Sequence, residues 1–216
     1  SRAMRIDDVD VYTLQVPIGR TVGDSRLSIT DVYWIVVELT TRDGQVGTGW
    51  MGSLGFAPDL LERFVESQFS DLLVGRDPFE TAAIHEDLRR PTIHSGELGM
   101  SAWPRGAIDV ALWDLKAKAA GEPLYRFLGG DTGRVQAYAS SMDSTRDVDE
   151  LADLHAQYAE EGFRAFKTKL GDDPPRREAE RVRTVREAIG PEADLFVDAN
   201  QAWTVKEALD VVDRLD

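Results

Sequence analysis

Apolar and polar residues alternate along Ile6 to Val16, a β-branched and aromatic run fills Asp31 to Thr41, and Asp43-Gly44 precedes a third alternating stretch, Gln45 to Trp50. A period of two with a hairpin signal predicts a small antiparallel meander. The period then lengthens. Helices are predicted at Pro58 to Leu73, Pro78 to Arg89 and Pro104 to Ala120, the last with Ile108, Leu112 and Leu115 on one face and Gly121 just past its end. Leu124 to Leu128 adds a short turn.

From Val135 the pattern becomes strand, helix, strand, helix. Val135 to Ser141 reads as a strand, and Ser144-x-x-Asp147 as a capping box for a helix carrying Leu151, Leu154 and Tyr158 that Gly162 ends. Ala165 to Lys169 is the next strand, followed by a helix around Ala179, Val182, Val185 and Ile189 that stops at Gly190-Pro191. Leu195 to Asp198 is the third, and Thr204-x-x-Glu207 opens a helix with Ala208, Val211, Val212 and Leu215. Apolar runs separated by helices are the signature of parallel strands covered on at least one face. The predicted strand starts lie about 30 residues apart, so eight units would need about 240 residues, near the size of a (β/α)8 barrel. Three units are present. The predicted organisation is an α+β domain over 1–133 and the first three βα units of an incomplete TIM-type barrel over 134–216, with about five units expected beyond Asp216. A sheet left half open in this way would keep one strand edge and an apolar face uncovered.

Composition narrows the class. With 216 residues, 42% of them hydrophobic, the chain can bury a sizeable core. The absence of cysteine removes disulfides, thiol nucleophiles and thiolate metal sites, and fits a reducing cytosol, so a cytoplasmic protein is expected. No stretch approaches membrane-spanning length. A net charge of -14 and a pI near 4.6 argue against nucleic acid or an anionic membrane as partner, since both demand a positive face. The acidity, with lysine much scarcer than arginine, suits either solubility in high salt or a genome rich in arginine codons.

That scarcity draws attention to Lys167 and Lys169. Residues two apart on a strand share a face, so both ammonium groups would project together where Ala165 to Lys169 ends. Adjacent cations and partial burial each disfavour the charged form, so one lysine is expected to give up its proton and serve as a base. One unit later Asp198 and Asn200 end the next strand on a common face. Against this stand plainer readings. The lysines could lie on a solvated edge strand, although Phe163, Phe166 and Leu170 favour burial; Asp198 could be a helix cap; Asn200 could take a left-handed turn.

The runs Phe163-Arg-Ala-Phe-Lys-Thr-Lys-Leu-Gly171, Val197-Asp-Ala-Asn-Gln201 and Val135-Gln-Ala-Tyr-Ala-Ser140 resemble the mandelate racemase branch of the enolase superfamily, the mandelate racemase and muconate lactonizing enzyme-like proteins. The resemblance extends over the helix Ala107 to Lys116 and the Leu128-Gly-Gly130 lead into the first barrel strand, and so over essentially the whole chain. It implies an N-terminal capping domain and an enzyme that removes the proton next to a carboxylate, with Mg2+ holding the enediolate. Lys169 would be the base, Lys167 would bind the substrate carboxylate and depress the pKa of Lys169, Asp198 would be the first metal ligand, and Asn200 and Ser140 would orient substrate, with Ser141 an equally available hydroxyl. The remaining metal ligands and the opposite-face catalyst would come from strands that this chain does not include. The implied substrate is a small carboxylate, most simply a sugar acid undergoing dehydration, with racemisation, epimerisation and cycloisomerisation as other fates of the same intermediate. The full-length enzyme would be a homo-oligomer, and residues 1–216 alone would be inactive. The loops Gly19 to Ile29 and Trp50 to Gly55 resemble the family's specificity loops. An expectation from a different class is a non-catalytic half-barrel that binds a partner through its open edge.

Other motifs point to structure. Gly47-Thr-Gly-Trp-Met-Gly52 matches a dinucleotide fingerprint by letter, but it sits on the return strand of a predicted hairpin and is expected to serve turn and packing. His85 is expected at the surface, His155 as a satisfied structural residue, and His94-Ser95 lacks the glycines of a nucleophile elbow.

Overall fold

The computed structural model describes residues 4–94 and 96–215; Ser95, and with it the His94-Ser95 pair, falls outside them. Strands β1 (Ile6–Gly23), β2 (Ser28–Thr41) and β3 (Val46–Ser53) form one sheet in that order, with β2 and β3 antiparallel. The predicted alternation places Ile35, Val37, Leu39 and Met51 in the core, joined by Leu61, Val65, Phe69, Leu73, Ile84 and Leu88. These come from α1 (Pro58–Gln68), α2 (Ser70–Leu73) and α3 (Thr81–Arg89). The helix predicted to run to Leu73 breaks at Phe69, whose ring is fully buried in place of a continuing turn.

α4 (Ala102–Ala120) crosses the same sheet with Ala107, Ile108, Ala111, Leu112 and Leu115 buried, and Gly121 ends it in a left-handed conformation. Gly47 and Gly49 explain the close approach. A Cβ at Gly49 would collide with the carbonyl oxygen of Ala107, and one at Gly47 with that of Ala111. The fingerprint-like glycines therefore serve helix-on-sheet packing, as expected from their place on the hairpin. A short α5 (Leu124–Phe127) follows.

The second sheet is β4 (Ala139–Ser140), β5 (Ala165–Lys169) and β6 (Asp194–Asp198), ordered β4-β5-β6 with both pairings parallel. Helices α6 (Val148–Glu160), α7 (Pro175–Ile189) and α8 (Val205–Val212) alternate with the strands. The architecture is thus an antiparallel N-terminal sheet with helices, followed by three parallel βα units of a partial barrel. The chain divides into two compact units, 1–17 with 31–133 and 18–30 with 134–216.

Two local expectations need correction. The strand predicted over Val135 to Ser141 is paired only at Ala139–Ser140, opposite Phe166 and Lys167, and β4 ends while β5 continues to Lys169. The helix α6 is capped by Asp147, not Ser144: Asp147 accepts from the Glu150 N–H, and Glu150 reaches back to Asp147. Thr204 and Glu207 form the capping box expected of α8. The inner face of the small sheet is open, with Tyr138 and Phe196 both about half exposed and their rings 5.6 Å apart.

Replacing Gly49 with alanine is expected to lower stability by about 1–3 kcal/mol, because helix and sheet must part to admit one methyl group. Urea denaturation checks this, and an unchanged midpoint would contradict the close approach.

Candidate active site

Strand pairing brings the candidate residues together. Lys167 lies opposite Ser140 on one side and Phe196 on the other, and Lys169 lies opposite Asp198. Alternation then puts Ser140, Lys167, Lys169 and Asp198 on one face. Phe166 and Thr168 on the opposite face are buried. Ser140, Lys169 and Asp198 end their strands and Lys167 precedes Lys169 by one same-face step, at the edge where a parallel barrel gathers its functional groups.

The Lys169 Nζ donates to Asp198 Oδ2 and to Asn200 Oδ1, both at 2.9 Å. Lys167 Nζ lies 3.1 Å from the same Asp198 Oδ2 and 5.7 Å from the centre of the Tyr138 ring. The turn that follows β6 helps. Asn200 (φ 47°) and Gln201 (φ 63°) take left-handed conformations, and the Asn200 N–H donates to Asp198 Oδ1 at 3.0 Å. Asn200 therefore occupies the turn that its residue type allows and also reaches Lys169. Ser140 is exposed on the same face, while the hydroxyl of Ser141 is buried without a hydrogen-bond partner among the described residues.

The electrostatics differ from the sequence expectation. The two ammonium groups meet a shared carboxylate, so mutual repulsion is not their dominant interaction. Hydrogen bonding to Asp198, opposed by burial, holds Lys167 above the ordinary lysine value. The Lys169 hydrogen bond, with the Asn200 N–H second, holds Asp198 well below the ordinary carboxylate range. In this arrangement Lys167 is a cation and Asp198 an anion.

The loops around the strand ends are tied down. Glu178 is almost fully buried and its Oε1 accepts from Gly171 N at 2.6 Å and Asp173 N at 2.9 Å, closing the loop after β5; burial raises its pKa despite these bonds. Ser25 Oγ donates to the Ala199 carbonyl at 2.7 Å, and Gly23 N donates to Met142 O at 3.4 Å. A Cβ at Gly171 would run into Ser25 and Ala202. The segment Gly19 to Ile29, expected as a loop, is strand up to Gly23 and from Ser28, and its connection at Ser25 borders the Asp198 turn.

Two features escaped the sequence reading, and a third was foreseen in part. Tyr138 faces Lys167, which its place two residues before Ser140 would have signalled. Asp143 is fully buried and accepts from the Lys169 backbone N–H at 2.8 Å, a contact that no sequence spacing announces. His155, expected to be structural, is fully buried with Nε2 3.2 Å from Asp143 Oδ2. His85 is exposed, as expected. A cleft of about 650 Å3 in the first unit, lined by Phe79, His85, Trp113 and Lys116 among others, contains none of these site residues. Lys116 there is occupied by Thr81 Oγ1 at 3.0 Å and the Trp113 ring at 3.5 Å.

Asp198 supplies one hard oxygen donor of the kind Mg2+ selects. Among the described residues no three His, Asp or Glu side chains converge as a metal site, so these residues do not by themselves fit a held ion. No helix among them is long and apolar enough to cross a membrane.

Comparison with known proteins bears on this geometry. Residues 8–129 match the model of the mandelate racemase / muconate lactonizing enzyme N-terminal domain, and residues 150–216 match the enolase C-terminal domain-like model. D-galactarolactone cycloisomerase of Agrobacterium fabrum is 36% identical over 98% of this chain and 56% of its own length. Arabinonate dehydratase of Saccharolobus solfataricus is 30% identical over 84% of this chain and 49% of its own length. The crystal structure of L-talarate/galactarate dehydratase from Salmonella typhimurium, liganded with Mg and L-lyxarohydroxamate, superposes with a TM-score of 0.89 at 31% identity, covering 95% of this chain and 54% of that one. The chain spans about half the length of the curated relatives it matches.

Two outcomes are expected. Folding lowers the Asp198 carboxyl below its ordinary value of 3.8, so its ion pairs stabilise fully above that value and are lost as pH falls through the folded value. The stability difference between wild type and Asp198→Asn should therefore be flat from about pH 7 to 5 and change only below about pH 4, as read from urea midpoints. Calorimetric titration of residues 1–216 with Mg2+ should show only weak binding, and strong stoichiometric binding would overturn the single-ligand description.

Proposed function

Because the chain belongs to the mandelate racemase / muconate lactonizing enzyme family of the enolase superfamily, we propose that it carries the capping domain, 1–133, and the first barrel units, 134–216, of an enzyme that abstracts the proton α to a carboxylate. The observation that carries this reading is the convergence of Lys167 and Lys169 on Asp198 at the strand ends. Lys169, nearly buried and held between Asp198 and Asn200, is the base. Lys167 keeps its proton and binds the substrate carboxylate. Ser140 and Asn200 orient the substrate's polar groups, and Asp198 would be the one Mg2+ ligand that this chain contributes. When bound, the ion supplies positive charge against the enediolate; a second fixed charge, Lys167, lies on the same face.

The substrate is a sugar acid and the reaction a dehydration. The α-proton passes to Lys169, the β-hydroxyl leaves as water with a proton from an acid, and the enol product becomes a 2-keto-3-deoxy acid. Two sugar-acid dehydratases among the relatives support this choice. A second reading, cycloisomerisation of a sugar-acid lactone, is favoured by the 36% identity to D-galactarolactone cycloisomerase. Both need the same proton abstraction. The activity belongs to a protein of the relatives' length, and residues 1–216 alone are inactive.

A panel of aldonates, aldarates and their lactones, assayed with Mg2+ on the gene product containing this chain, tests the proposal. Lys169→Ala is expected to lower kcat by roughly 100- to 10,000-fold, the usual share of a general base. Lys167→Ala should act more on KM. Full activity in Lys169→Ala would remove it from the mechanism.

A further inference from the structure

We infer that the buried pair Asp143 and His155 is a positioning element for Lys169, its carboxylate standing in for a strand that has already ended. The inference rests on the reading of Lys169 as the base. β4 pairs with β5 only as far as Ser140 opposite Lys167, so Lys169 lies two residues past its last strand neighbour on that side. On the other side β6 continues, with Lys169 opposite Asp198 and Leu170 N donating to Asp198 O at 3.0 Å. The Lys169 N–H, facing the vacated side, would be buried without a partner. Leaving such a group unpaired is costly, because it has given up its water without a replacement. Asp143 Oδ1, at 2.8 Å, accepts that proton.

Asp143 is itself fixed from three directions. His155 Nε2 on α6 lies 3.2 Å from Oδ2, and both residues are fully buried. Arg181 on α7 donates from Nη2 to the Asp143 carbonyl at 3.0 Å and from Nη1 to the Arg146 carbonyl at 2.7 Å. Residue 143 also bridges to Gly23. The imidazole has a defined tautomer. Its Nδ1 is buried without a partner, so the proton resides on Nε2, where it donates to the carboxylate; the opposite tautomer would bury an unpaired N–H and set a lone pair against Oδ2. Tyr158 meets the ring edge-to-face at 5.9 Å and Phe166 lies tilted to it at 6.1 Å.

What separates this from an ordinary buried hydrogen-bonded pair is where it acts. The captured amide belongs to the residue whose Nζ sits 2.9 Å from both Asp198 and Asn200. A backbone shift there carries the amine with it, and about 1 Å of misplacement can cost about 100-fold in rate.

The test uses isotopically labelled 216-residue chain with Asp143→Asn, Asp143→Ala and His155→Gln. In Asp143→Ala the Lys169 amide should exchange with solvent at least tenfold faster relative to Leu170, whose bond to Asp198 O is untouched. Asp143→Asn keeps an acceptor and should restore Lys169 protection, while its amide N–H forces the His155 proton to Nδ1, visible in the ring nitrogen shifts. His155→Gln should give an intermediate loss at Lys169 alone. Uniformly faster exchange across β5, or no change at Lys169 in any variant, would overturn the positioning role. If Asp143→Ala does not fold, the other two variants decide. In the active gene product, Asp143→Ala or His155→Gln should lower kcat at least tenfold with KM little changed, partly rescued by Asp143→Asn. An active Lys169→Ala enzyme would sink the base assignment and leave the exchange result standing; an inactive one beside unaltered exchange would sink only the positioning role.

Discussion

One carboxylate oxygen, Asp198 Oδ2, meets the amino groups of two lysines at 2.9 and 3.1 Å, and the organisation of the second unit serves that meeting. Two cations on one strand face would repel if left alone. A carboxylate on the neighbouring strand, in register with the second lysine, turns the repulsion into a three-point charge cluster. Parallel pairing is what makes this possible. It aligns strand ends at one edge of the sheet, so residues distant in sequence, 169 and 198, become direct neighbours.

The cluster needs rigid support, since a 1 Å drift of an ammonium group would break it. Support comes from backbone groups at the strand ends. Asn200 N–H holds the free oxygen of Asp198, Glu178 closes the loop after Lys169, and Asp143 takes the amide of Lys169. In each a side-chain carboxylate accepts a backbone N–H that the ending strand leaves without a ladder partner. The apolar face beneath, with Phe166, Leu151, Ala179 and Val185 fully or nearly fully buried, anchors β5 against its helices.

The first unit solves a different problem with a different device. Its sheet and α4 approach closely because Gly47 and Gly49 leave room for helix backbone, and opposite them Leu39 and Val37 fill the core. A short motif that by letters suggests nucleotide binding is here a packing surface. The cation of Lys116, caged by Trp113 and bonded to Thr81, is likewise a structural element. Chemistry-bearing residue types gain a function only where their neighbours leave them something to do.

The element order, the hairpin, the parallel units and the positions of Lys167, Lys169 and Asp198 on one strand face were legible in the sequence, because each follows from a short-range period, and Asn200, expected on that face by the same period, lies instead in the left-handed turn that its residue type allows. Hydrophobic alternation dictates which face a side chain takes, and Thr204-x-x-Glu207 dictates a cap, without reference to distant chain. The missed cap at Asp147 was an oversight of a local signal, since Asp147-x-x-Glu150 is a capping box of the same kind. The shortened first barrel strand and the charge of Lys167 had no local determinant: they depend on where β4 leaves β5 and on Asp198, which arrives on the neighbouring strand. The tertiary structure alone decided the burial of Asp143 with His155 behind Lys169, since burial and hydrogen-bond partnership between residues 143, 155 and 169 are products of packing that no periodicity encodes.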